Sequence, residues 1–383
     1  MEFDRIINRR GTESIKWSKY GEDVLPMWVA DMDFRSPEPV ITALHQRVDH
    51  GVFGYGCPPD SLLEAIASHL SDRHDWDIDT CDIAFICGVV TGFTHAIYCF
   101  TQPGDRILIQ TPAYPPFLVA PESTGRELVV NELIQDKNGK YEINFDDFDR
   151  KLASGVKLFI LCNPQNPTGR VFTRQELTKM AELCLKYNVI ICSDEIHADL
   201  VFSGSKHIPI ASLSPEIAKK TVTYFAPSKT FNIAGLATSV YVAKCSEMQE
   251  ILSTSMRMLL GHPNILGLHA ALAAYQEGRP WLDAVMHYLE GNRDQMVRIV
   301  TQRMPGIKVS SPEATYLGWL DCRQLNLDVS PHQFFLEEAK VGLNDGSEFG
   351  AAGEGFVRLN FGCPRSVLEQ GLNQMIAALE KRQ

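Results

Sequence analysis

No run of apolar residues in the chain approaches the roughly 18 that a membrane-spanning helix requires. Basic residues are not clustered either. Arg9-Arg10 and Lys219-Lys220 are isolated pairs in a chain of net charge −11, so neither nucleic acid nor a membrane is an expected partner. Metal-binding spacings are missing: the ten cysteines form no CxxC pair and the eleven histidines no HxxxH or HExxH, so no metal is expected. The stretch from Met1 to Tyr20 is mixed and charged, without the apolar core of a signal peptide. Cys87, Cys162 and Cys192 lie inside apolar runs and read as reduced, buried, small hydrophobes. These absences together imply a cytoplasmic protein.

What is present is an ordinary globular composition, 45% hydrophobic and 22% charged over 383 residues, long enough for two domains or a large and a small lobe. Short apolar runs alternate with helical patterns: strands at 83–87, 106–110, 156–162, 189–192, 221–225 and 239–243, with helices between several of them. Near-continuous apolar strands of this kind indicate an α/β fold with a mostly parallel sheet covered on both faces. Beyond Ala243 the pattern becomes helical, and a smaller α/β portion follows with strands at 316–321 and 356–360.

In parallel sheets ligands bind outside the carboxyl ends of the strands, and the polar candidates fall there. Gly88-Val89-Val90 joins a strand to a helix expected from about Phe93, a geometry whose free backbone N–H groups suit a phosphate. Tyr114 is presented on a Pro-rich loop after the second strand. Asn163 and Asn166 follow the third, Asp194 the fourth, and Ser228-Lys229 the fifth. A lysine desolvated in such a place can act as an amine nucleophile and form a Schiff base with a carbonyl. Arg358 sits mid-strand among apolar neighbours, where an inward guanidinium suits a carboxylate. Two further segments stand out. Pro26 to Phe34, with Trp28, reads either as an arm packed on the core or as one lining a pocket. Phe53-Gly54-Tyr55-Gly56 reads as a turn-rich loop holding an exposed tyrosine, ahead of a helix that Asp60 would cap.

Asn163-Pro-Gln-Asn166-Pro-Thr-Gly, Ser193-Asp194-Glu195, Ser228-Lys229-Thr230-Phe231 and a late arginine strand occur in that order. The combination resembles the fold-type I pyridoxal 5′-phosphate (PLP) enzymes of the class I/II aminotransferase family. Met27-Trp-Val-Ala-Asp-Met-Asp-Phe34, Phe53-Gly-Tyr-Gly56 and Ser193-Asp-Glu-Ile-His-Ala-Asp199 are similar to the MalY/PatB-type cysteine–sulfur β-lyases within it. The resemblance implies a large PLP domain at 50–284 with a seven-stranded sheet, and a small domain made of 1–49 and 285–383. It implies that Lys229 links to PLP and serves as base, and that Asp194 pairs with the pyridine nitrogen. Asn163 and Asn166 would lie on the cofactor, Tyr114 would stack on it, and His197 would contact it. Gly88, Val89, Val90 and Ser228 would hold the phosphate, helped by Tyr55 from the neighbouring subunit of a homodimer. Arg358, with Trp28 and Asn166, would bind the substrate.

The implied reaction is α,β-elimination of L-cystathionine or a related cysteine S-conjugate to a thiol, pyruvate and ammonia, within amino-acid metabolism. An aminotransferase is the alternative enzyme, and a PLP-fold regulatory or binding protein the non-enzymatic one. No second arginine for a dicarboxylate side chain is evident, although a helix arginine such as Arg257 would serve. Two departures stand out. Many relatives carry an arginine eight residues after the lysine, where this chain has Ala237, and many aminotransferases carry tyrosine where it has His197.

Overall fold

Aliphatic and β-branched residues crowd the segments Ile83–Ile86 (β1), Arg106–Thr111 (β2), Glu127–Glu132 (β3), Val156–Cys162 (β4), Ile190–Asp194 (β5), Thr221–Phe225 (β6) and Ser239–Val242 (β7). In the computed structural model these seven strands form one sheet in the order β1-β7-β6-β5-β4-β2-β3. Residues 1–136, 139–261 and 263–382 are described, with the backbone alone for 256–259. β7 runs antiparallel to β1 and β6, and the other pairs are parallel. Alternation along β4 shows why the strands read as unbroken apolar runs. Leu158 and Ile160 pack with Phe93, Ala96 and Ile97 on one face, and Phe159 and Leu161 with Leu177, Met180 and Ala181 on the other.

Three local departures from the sequence reading bear on the site. The helix after β1 begins at Val89, not near Phe93, so its first turn is part of the Gly88–Val90 segment. It crosses the sheet closely because Gly92 has no side chain: a Cβ there would stand 2.3 Å from the Tyr224 ring. Tyr114 is not on a free loop but sits at the N-cap position of the helix Pro115–Ser123, with Pro115 and Pro116 in the first turn. Asp60 lies inside the first turn of the helix Asp60–His74, with Pro59 at the cap position.

Lys308–Val309 (β8), Leu317–Asp321 (β9), Asn344–Asp345 (β10) and Phe356–Asn360 (β11) form a second, antiparallel sheet in the order β8-β9-β11-β10. Val357 and Leu359 point into a core shared with the helices Arg279–Arg303 and Arg365–Glu380. The domain boundary expected at 284/285 falls inside the continuous helix Arg279–Arg303. The N-terminal segment joins this second layer, Leu25–Pro26 pairing in parallel with Val341–Gly342.

From there the strap 27–34 crosses between the layers, held along its backbone. Asn360 donates to the carbonyls of Val29 (2.6 Å) and Asp31 (2.7 Å). Asn232 accepts from Met32 N at 3.0 Å and donates to the carbonyls of Met32 and Phe34. A four-charge cluster fixes its far side, Lys16 to Asp33 at 2.6 Å and Arg9 to both Asp31 and Asp33 at 2.7 Å. Among the described residues, no helix is long and apolar enough to cross a membrane.

Candidate active site

The carboxyl ends of β1, β4, β5 and β6 open onto a cavity of about 310 Å³ between the two layers. Lys229 enters it from the one-turn helix Pro227–Thr230 that follows β6. Its Nζ donates to the carbonyl of Ala30 at 2.6 Å, and the buried Tyr316 hydroxyl donates to the same carbonyl at 2.9 Å. Asp194, the last residue of β5, accepts the backbone N–H of Ile196 at 3.0 Å. Gly88, Val89, Val90, Ser228, Thr238 and Ser239 bring backbone and hydroxyl groups to the lining.

Arg358 reaches the cavity from β11, on the strand face opposite Val357 and Leu359. Its guanidinium donates to Asn166 Oδ1 (2.9 Å), Asn344 Oδ1 (2.6 Å) and the Trp28 carbonyl (3.1 Å). It also lies over the Phe349 ring, 4.8 Å from the centroid. These contacts aim the planar fork without neutralising it, because every partner is uncharged. Nε is buried without a hydrogen-bond partner among the described residues.

Burial dominates the electrostatics. It pushes Lys229 down to about 8, opposed by Asp31 and Asp194 and helped by Arg358. It pushes Asp194 up to about 7; the Ile196 N–H and Lys229 oppose this and Glu195 adds to it. Arg358 falls to about 10 through burial, with Tyr114 and Tyr316 opposing. His197 falls to about 3 through burial, then through Lys229 and Arg358, so its imidazole is neutral near pH 7. The Nδ1 of His197 is buried and unpartnered among the described residues. Opposite charges, an amine poised to lose its proton and an unused ring nitrogen thus share one enclosure.

Gly88, Val89, Val90, Tyr114, Asn166, Asp194, His197, Ser228, Lys229 and Arg358 all line this cavity. Asn163 does not. Its Oδ1 accepts the Phe172 N–H at 3.0 Å and its Nδ2 faces His207 Nδ1 at 3.4 Å, so it pins the loop from behind. The Trp28 ring also points elsewhere, its Nε1 donating to the Lys16 carbonyl at 3.1 Å beneath the ammonium of Lys19; only its carbonyl touches Arg358. Tyr55 is fully exposed, outside the cavity of its own chain. The side chain of Arg257 lies outside the described residues. Ala237 lines the cavity in the left-handed region (φ +46°), flanked by Thr238. Val29 and Ala30 line it too, so the segment 26–34 is the pocket-lining arm that was one of its two readings, while Cys87, Cys162, Ile196, Ala234, Thr238 and Ser239 complete the lining and were not anticipated. Tyr316 had one available signal: it immediately precedes the strand that pairs with the arginine strand.

A sheet with this order and a lysine, an aspartate and an arginine converging beyond its strand ends define a class: the chain belongs to the aminotransferase class I and II family, whose model matches residues 22–375. Within it, the chain is 44% identical over 387 residues to the cystathionine beta-lyase PatB of Bacillus subtilis (strain 168), spanning 99% of this chain and 100% of that protein. Cystalysin from Treponema denticola, whose crystal structure contains a pyridoxal 5′-phosphate cofactor, superposes with a TM-score of 0.95 at 34% identity, covering 100% of this chain and 99% of that one. The PLP-bound C-S lyase from Staphylococcus hominis gives 0.93 at 35% identity, with 98% of both chains covered.

Proposed function

We propose that this chain is a PLP-dependent carbon–sulfur lyase of the cystathionine β-lyase type. The observation that carries the proposal is the convergence of Lys229, Asp194 and Arg358 on one cavity, in a chain that a cystathionine beta-lyase matches end to end. The residues fit the cofactor. Asp194 is a buried carboxylate in need of a cation, which a protonated ring nitrogen supplies, and the orphaned Nδ1 of His197 leaves a polar contact free beside it. The backbone of Gly88 to Val90, at the start of a twelve-residue helix, with Ser228, forms an anion cup.

Bound PLP supplies an aldehyde for amines and an electron-withdrawing ring for the Cα electrons. The protein does the rest. Lys229 would bind the cofactor and, once freed by the substrate amine, take the proton from Cα; with its pKa lowered to about 8, about a tenth of it is neutral at pH 7, far more than of an ordinary lysine. Asp194 holds the ring-nitrogen proton. Arg358 would receive the α-carboxylate in its fork, and Asn166, which accepts from it, would be left to contact the cofactor. Tyr114, on the cavity wall, would lie against the ring. Lys229 and Arg358 are the lysine and arginine side chains lining the cavity among the described residues, so the cavity offers one guanidinium, for the α-carboxylate next to the reacting carbon. The thiolate leaves from Cβ, and L-cystathionine with water gives homocysteine, pyruvate and ammonia. Tyr55, exposed on its own chain, would reach the phosphate in the neighbouring subunit, making the working form a homodimer.

Incubation with L-cystathionine in the absence of any keto acid tests the reaction: prompt release of pyruvate and thiol is expected, and turnover that needs an added keto acid overturns the lyase reading in favour of transamination. Lys229→Ala should abolish the borohydride-reducible cofactor adduct, whereas a retained adduct on another lysine would refute the assignment.

A further inference from the structure

The turn that follows β5 faces two ways. Asp194, Ile196 and His197 line the cavity, while Glu195 and Asp199 point to its back. Asp199 is buried and surrounded by donors. Its Oδ1 receives His69 Nε2 at 2.8 Å and His74 Nε2 at 3.1 Å, with Arg73 Nε at 3.1 Å. Arg73 Nη2 also holds the Asp199 carbonyl at 3.0 Å. Its Oδ2 receives the Thr230 hydroxyl at 2.9 Å. Three residues from the helix Asp60–His74 thus saturate one oxygen, and the other is given to the residue beside Lys229.

We infer that Asp199 is a positioning residue for Lys229: its carboxylate, clamped by His69, Arg73 and His74, bolts the Lys229 turn through Thr230 to the turn that carries Asp194. Thr230 is almost completely buried and points away from the cavity that Ser228 and Lys229 line. The bond therefore ties together, from behind, the amine and the carboxylate that meet opposite parts of the cofactor. Both turns are short, and loops of this kind hold geometry poorly without such support. His69, His74 and Asp199 bring ligand atoms within 4.8 Å of one another, a spacing compatible with a metal. The adjacent guanidinium argues against one, since Arg73 already balances the carboxylate. Among the described residues, groups facing the cluster include the His207 ring 5.2 Å from that of His74, the Phe225 ring stacked 6.3 Å from that of His74, the Tyr275 ring 5.0 Å from that of His69, the carboxylate of Asp75 beside His74, and Asp283, 3.5 Å from Arg73.

The inference rests on Lys229 being the cofactor lysine, and the test separates the two. In the parent holoenzyme, peptide mapping after borohydride reduction places the cofactor on Lys229 or elsewhere; elsewhere, the function reading falls. Thr230→Val and Thr230→Ser holoenzymes are then compared with the parent by pH titration of the visible cofactor band and by kcat and KM for L-cystathionine. Thr230→Val should move the band's apparent pKa by about half a unit or more and lower kcat about 10- to 100-fold with KM little changed. Thr230→Ser, which keeps the hydroxyl, should return both towards the parent. Asp199→Asn should reproduce the Val effect where it folds, and the Thr230 pair decides where it does not. A Thr230→Val enzyme with the parent's titration and kcat, or a Thr230→Ser enzyme as impaired as Thr230→Val, overturns the inference.

Discussion

Asp194 is an acid kept from water with no cation of its own, and that has a measurable sign. Its folded-state pKa of about 7 lies above the ordinary 3.8, so its protonated form is the one the fold tolerates. The stability it allows is complete below about pH 4 and is lost as the pH rises through about 7, a fall of up to about 4 kcal/mol. Asp194→Asn should therefore make the cofactor-free protein more stable than the parent at pH 8 and no different at pH 4, read by urea unfolding. Lys229 titrates in the opposite sense. With its pKa lowered to about 8, the reactive neutral amine grows with pH, so cofactor uptake by stripped protein should speed up about tenfold per pH unit below 8 and level off above. Arg358→Lys keeps a charge but loses the fork; kcat/KM for an amino-acid substrate should fall about 100-fold, about 3 kcal/mol.

Among the elements, the strap 27–34 gives most of its site contacts through main-chain carbonyls: Trp28 to Arg358, Ala30 to Lys229 and Tyr316, Val29 and Asp31 to Asn360. Asn360→Leu strands two of them, and should destabilise the fold by about 2–3 kcal/mol in urea titration while raising KM several-fold. This also explains which parts of the site were legible in advance. Lys229, Asp194 and Arg358 are charged residues at the end of, after or within apolar strands, a conflict visible from residue types alone. A carbonyl such as that of Ala30 has no signature, because its role depends on where a distant arm comes to rest. Asn163 and Asn166 look equivalent in Asn-Pro-Gln-Asn-Pro; what separates them is that Asn163 caps Phe172 N while Asn166 meets Arg358. Trp28 drew attention by its ring, yet its backbone is the part that contacts the site. The early start of the helix at Val89 was masked by β-branched residues, Val89, Val90 and Thr91, whose weak helix preference the fold overrides.

For the molecule as a whole, the exposed segment around Tyr55, with Val52 and Phe53 also exposed, is the place where one protomer would complete another. If Tyr55 acts across the interface, chains carrying Lys229→Ala and chains carrying Tyr55→Ala restore one intact site when they pair. An equimolar mixture, dissociated and reassociated at limiting cofactor, should regain about a quarter of parental activity, the statistical share for a twofold dimer. Recovery of nothing above the separate variants would place Tyr55 outside the neighbour's site.

The end of the cavity proposed for the phosphate has Ala237 on its wall, and the donors it offers there are neutral hydroxyl and backbone groups. Cofactor retention would then depend on the number of hydrogen bonds, and if Tyr55 acts across the interface, one of them is on loan from another chain. Dilution below the dimer dissociation constant would weaken the grip on the coenzyme along with the pairing of subunits. Specific activity should consequently decline with protein concentration unless free coenzyme is supplied, making the abundance of this protein a control on how much of it is armed.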